Sequence, residues 1–195
     1  MKVAYVVPRY GTEVVGGAEY GARMLAERLV PMLGWEAEVL TTCAKDWRTW
    51  ADEYRAGDQV VNGVRVRRFP SRSGRDPGFE AFSATVLSDP EAASLPDARR
   101  WIDLQGPVNP DLVDAAAASD AHVVVFYPYL YHPTVAGVPA VGDRAVMHPA
   151  AHDEPPLRLP VFHEVFAGVQ GLVFQTHGER RLVERLFPVA ARPQV

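Results

Sequence analysis

Cysteine is almost missing from the chain: Cys43 is the only one among 195 residues. No disulfide can close within it, and no cluster of thiolates can gather around a metal. This usage fits a reducing compartment, and the cytoplasm is the expected location. Long apolar runs are missing as well. The run at residues 3–7 stops at Pro8, too short for the core of a signal peptide and far short of the ~18 residues that cross a bilayer. Neither sign of charge dominates. A formal net charge of -4 gives no overall electrostatic reason to expect nucleic acid as a partner. The length suits one domain-sized core better than two, and no internal repeat is visible.

Several catalytic signatures are absent too. Gly16, Gly17 and Gly21 do not have the spacing of a dinucleotide fingerprint, and Thr41-Thr42 stand where a ribose-binding acid belongs, which disfavours NAD. No Gly-Lys-Ser/Thr follows the glycines, which disfavours ATP or GTP hydrolysis. No serine sits in a Gly-x-Ser-x-Gly elbow. His148, His152, Asp153 and Glu154 offer nitrogen and oxygen ligands. Pro149, Pro155 and Pro156 nevertheless keep them off the helix that a His-Glu-x-x-His zinc site needs. A metal-dependent hydrolase is the weaker alternative, and no metal is expected.

What the chain does have is alternation. Residues 3–7 form a continuous apolar run, the pattern of a strand buried on both faces. From Ala18 to Leu33 the apolar residues recur at helical spacing, and Gly34 stands where a C-terminal cap belongs. A second strand is expected over 35–42. Asn62-Gly63 between β-branched residues predicts a hairpin over 60–66. Residues 71–96, rich in Ser, Arg, Gly, Asp and Pro, read as a loop followed by short helices. Asn109-Pro110 opens a helix through 112–118. Strands follow at 122–126, 144–148 and 172–176, with helices at 157–167 and 178–187. The fold class is therefore α/β: a Rossmann-like, doubly wound, mainly parallel sheet with flanking helices and a β-hairpin insertion.

Gly16 and Gly17 occupy the entrance of the first helix. Glycine lets backbone N–H groups approach a ligand, and the helix N-terminus adds partial positive charge suited to a diphosphate. A tight strand-to-helix turn with no ligand is the alternative. Cys43 reads as a small buried residue; Trp47, Trp50 and Tyr54 read as packing over the sheet, with an acceptor groove as the alternative; and Arg65, Arg67 and Arg68 read as the solvated face of a strand, with an acceptor phosphate as the less favoured use. Thr176 and Glu179 match a capping box.

Val6-Val7-Pro8-Arg9-Tyr10 followed by Gly16-Gly17-Ala18-Glu19 resembles the start of glycosyltransferase family 4, whose members have the two-domain GT-B fold. Glu38-Val39-Leu40-Thr41-Thr42 adds to the likeness, as do the segment Asn62 to Phe69, Trp101 with Gln105-Gly106-Pro107, and Pro149-Ala150-Ala151-His152-Asp153-Glu154. In order, these cover essentially the whole chain. The resemblance implies that residues 1–195 are one half of a GT-B fold, the N-terminal acceptor-binding domain. It also implies that the donor-binding domain, with its Glu-x₇-Glu motif, is absent from this chain and supplied in cis or in trans. The implied activity is transfer of a hexose, with retention, from a nucleotide diphosphate sugar to an acceptor hydroxyl, the acceptor including one presented at a membrane surface. The chain alone is expected to be inactive.

The resemblance also implies roles for particular residues. The family's loop after the fourth core strand carries a histidine that reaches the transferred sugar. Here that loop reads Phe126-Tyr127-Pro128-Tyr129-Leu130-Tyr131-His132-Pro133, which makes His132 the catalytic candidate. Gly16 and Gly17 are the candidates for donor diphosphate binding. Tyr131, His152, Asp153 and Glu154 are the candidates for acceptor or sugar binding, because tyrosine offers a stacking face and a polar tip. A non-catalytic binding or scaffold domain, or one subunit of a split transferase, is the competing reading.

Overall fold

The computed structural model describes residues 1–195. Seven strands form one sheet in the order β3-β4-β2-β1-β5-β6-β7. They are β1 (Lys2–Val7), β2 (Glu36–Thr42), β3 (Gly57–Val61), β4 (Val64–Phe69), β5 (Val123–Phe126), β6 (Ala145–Met147) and β7 (Gly171–Leu172). Every neighbouring pair is parallel except β3 and β4, which form the antiparallel hairpin. The helices are α1 (Gly17–Leu33), α2 (Phe79–Val86), α3 (Leu95–Gln105), α4 (Pro110–Ala118), α5 (His132–Val141), α6 (Val161–Gly168) and α7 (His177–Leu186). This is the expected Rossmann-like doubly wound sheet with a hairpin insertion.

β1 lies at the centre and explains its own composition. Ala4 and Val6 point into the larger core, with α3, α4, α5 and α6, while Val3, Tyr5 and Val7 point into a smaller core with Ala22 and Ala26 of α1. Two covered faces need apolar residues at every position, so the run shows no alternation. The chain leaves β1 toward β2 on one side, and β5 lies on the other. The order therefore reverses between β1 and β5, and a crevice opens beyond the carboxyl ends of those two strands.

The local signals act as expected at most ends. Gly34 closes α1 at φ 65°, its N–H donating to Val30 O at 2.9 Å. Asn62 and Gly63 turn the hairpin at φ 48° and 82°. Asn109 caps α4 by accepting from Leu112 N at 3.1 Å.

Other boundaries differ. The hairpin's first strand begins at Gly57 rather than residue 60, β7 is only two residues long, and α6 starts after a 3₁₀ turn at Pro155–Arg158. α5 was not expected, because Gly137 and Pro139 are poor helix residues. Its reason is tertiary: a Cβ at Gly137 would meet Phe126 Cε1 at 2.4 Å, so glycine lets this helix lie tight against β5.

Candidate functional site

Every candidate side chain hangs from the loops at the carboxyl ends of the strands. After β1, Arg9 is almost fully buried and forms an ion pair with the equally buried Glu19 in the first turn of α1. Its Nε donates to Glu19 Oε1 at 3.0 Å, and its Nη1 donates to Lys45 O at 2.8 Å in the loop after β2. One guanidinium thus ties the glycine loop, the start of α1 and the β2 loop together.

The two glycines have different reasons. A Cβ at Gly16 would stand 2.1 Å from Glu19 Oε2, so this glycine makes room for the carboxylate. A Cβ at Gly17 would meet nothing within 4 Å, so its surroundings are open. Gly16 is extended at φ 162°, ψ 142°, and no side chain caps the helix. The N-terminal amides of α1 thus lack a side-chain cap partner, beside the crevice between β1 and β5.

The other wall is built on Trp50, which is fully buried and donates through Nε1 to Gln105 O at 3.0 Å. Tyr131 packs edge-on against Trp50, with ring centroids 5.0 Å apart. Burial pushes the Tyr131 phenol up to about 12, and the charges acting on it are those of Glu19, Arg9, Arg75 and Glu154. Tyr131 thus lies within electrostatic reach of the Arg9–Glu19 pair as well as of Arg75 and Glu154.

His132, the next residue, faces elsewhere. Its Nδ1 accepts from Asn109 N at 3.4 Å, and the charges acting on it are those of Asp103 and Arg72. Burial lowers its pKa, so the ring is neutral. With Nδ1 accepting, the hydrogen sits on Nε2, and that nitrogen can only donate. In this state Nε2 can donate to an oxygen acceptor but cannot abstract a proton. Gly16–Gly17 and His132 sit on different loops, and of the two neighbours Tyr131 is the one whose phenol feels the Arg9–Glu19 charges.

His152, Asp153 and Glu154 diverge. Glu154 turns inward and accepts from Tyr129 OH at 2.8 Å. Asp153 turns outward to Arg158 and, at 3.8 Å, to Arg185. His152 and Asp153 line a hollow of about 230 Å³ with the first turn of α7. No three His, Cys, Asp or Glu side chains converge as metal ligands.

The floor of the crevice holds His148, which the sequence offered as a metal-ligand candidate, and Glu179, which it offered as part of a capping box. His148 stacks on Tyr127 with centroids 4.4 Å apart, and its Nδ1 is buried without a partner. Burial pushes its pKa down to about 4. Glu179 accepts from Ala151 N and from Gln175 N, both at 2.8 Å, while Thr176 caps α7 by accepting from Glu179 N at 3.0 Å. The Thr-x-x-Glu pattern is thus a cap whose carboxylate also clamps the loops after β6 and β7. The sequence named Arg9, two residues beyond the first strand, and Glu19 beside the two glycines, but nothing in it joined them as a pair. No family model matches the chain, and no curated protein matches it.

Proposed function

We propose that this chain is the acceptor-side half of a GT-B glycosyltransferase resembling family 4. With a donor-binding domain supplied in cis or in trans, it transfers a hexose, with retention, from a nucleotide diphosphate sugar to an acceptor hydroxyl. The observation that carries this reading is Gly17: an open, uncapped helix N-terminus at the point where strand order reverses, where an anionic group is best accommodated.

In this reading the amides at Gly17 and Ala18 receive the donor diphosphate and stabilise it as its bond to the anomeric carbon breaks. The buried Arg9–Glu19 pair holds those amides in place before substrate arrives. Tyr131 orients the sugar from the opposite wall, and the Nε2–H of His132 donates to a sugar hydroxyl. Orientation by preformed groups is the main contribution that a domain without the nucleotide site can make.

The test is an amide-shift titration of the ¹⁵N-labelled chain with a donor domain present. Adding a nucleoside diphosphate is expected to move the Gly17, Ala18 and Glu19 amides first. Shifts confined to the donor domain would overturn the diphosphate site.

A further inference from the structure

Two cavities meet at His132 and Asp103. The first is a trough of about 390 Å³ between α3, α5 and α6. Its walls are apolar, with Ile102, Val138, Val161 and Val165 buried and Val135 and Ala136 half-buried. Arg99 on α3 and Glu164 on α6 pair at its exposed rim at 2.9 Å and add no net charge. At the far end of α6, Gly168 approaches α5 so closely that a Cβ would stand 2.8 Å from Val138 Cγ1, and this contact narrows that end.

The second cavity is a polar basin of about 630 Å³, bounded by the 72–77 loop and the ends of α3 and α4. Its charged groups are Arg72, Arg75, Asp76 and Asp103. Arg75 pairs at 3.2 Å with the exposed Glu80, which lies outside the basin lining, and Arg72 has no ion-pair partner. Two guanidiniums stand against two carboxylates, so the basin has no net positive charge to draw an anionic head. Carboxylates that accept, a guanidinium that donates and an imidazole whose Nε2–H donates are together suited to hydroxyl groups. A volume of a few hundred Å³ lined by apolar side chains with a few polar groups at one end is the usual form of a small-molecule site.

We propose that trough and basin together bind a single-chain amphiphile with an uncharged, hydroxyl-bearing head, an alkyl glycoside being the simplest of the class. The apolar chain lies between α5 and α6 with its end toward Gly168, and the hydroxyls lie in the basin beside Asp103 and His132. Identifying this ligand with the glycosyl acceptor rests on the transferase reading; the binding does not.

The test uses the chain as it stands, without donor, and four probes: octyl glucoside below its micelle concentration, glucose, octanol and octyl phosphate. Octyl glucoside is expected to bind at least about tenfold more tightly than each of the other three. It should shift the methyl resonances of Ile102, Val135 and Val165. Ala136→Phe, which fills the trough, is expected to weaken it by about tenfold or more, and Asp103→Ala to weaken octyl glucoside but not octanol. Octyl phosphate binding as tightly as the glucoside would overturn the proposal, and so would a glucoside that leaves the three methyl groups unmoved. If Ala136→Phe does not fold, the methyl map of the unsubstituted protein decides. Binding that persists while no hexose transfer is found would sink the transferase reading alone; transfer without this binding would sink the amphiphile site alone.

Discussion

The Glu19 carboxylate lies against the Cα of Gly16, where a Cβ would stand 2.1 Å from Oε2. Two adjacent glycines therefore separate cleanly, one needed by the fold and one left open. Gly16→Ala is expected to cost about 1–3 kcal/mol, because a buried ion pair must shift to admit the methyl group. Gly17→Ala should stay within about 0.5 kcal/mol of the parent. Urea denaturation of both variants checks this, and equal losses would show that the two positions are not distinct.

The same carboxylate is the partner of Arg9, and both side chains are buried. Removing one partner strands the other charge, so Glu19→Leu and Arg9→Met should each destabilise by about 3–5 kcal/mol. The double variant should lose less than the sum of the two. A double-mutant cycle measures this directly, and simple additivity would mean that the pair is not coupled.

The Trp50 wall depends on a third glycine. Gly106 has φ 68° and ψ −177°, and a Cβ there would meet Gly74 O at 2.7 Å and Trp50 Cδ1 at 3.2 Å. Backbone strain and the clash act together, so Gly106→Ala is expected to cost at least about 2 kcal/mol. Tryptophan emission, to which Trp50 contributes together with Trp35, Trp47 and Trp101, should shift to longer wavelength in the same variant. An unchanged emission maximum and midpoint would contradict the packing described.

His148 gives the fold a pH dependence. Its pKa falls from the ordinary 6.5 to about 4 on folding because burial disfavours the imidazolium. Between those values the unfolded chain binds the extra proton, so the contribution of His148 is complete above about pH 6.5 and is lost as pH falls toward 4. The full loss is on the order of 3 kcal/mol. His132 is lowered in the same direction and adds to the trend. His148→Gln should flatten the stability profile between pH 6.5 and 4; a profile parallel to that of the parent would refute the assignment.

The alternation of β1, α1 and β2 was legible in the sequence because local signals and tertiary packing agree there. A run buried on both faces, helical spacing from Ala18, and Gly34 at a left-handed cap all point the same way. The Asn62-Gly63 turn and the Asn109 cap were legible for the same reason. α5 was not, because Gly137 answers to Phe126 on the strand beneath it rather than to its own helix. In the candidate site, Gly16 and Gly17 stood out by composition, but only the fold shows that Glu19 occupies the space beside one of them. Tyr131 and His132 are neighbours in sequence, yet they face different groups because the chain turns into α5 between them. The pairing of Arg9 with Glu19 and the stacking of His148 on Tyr127 join separate segments, and no spacing rule announces them.

The central claim is tested most directly by hexose transfer from a nucleotide diphosphate sugar, with a donor domain supplied, comparing the parent chain with Gly17→Val and His132→Ala. The parent is expected to turn over. Gly17→Val should lose about tenfold or more in kcat/KM with little change in its denaturation midpoint, and His132→Ala should lose activity as well. Full turnover in both variants would contradict the account.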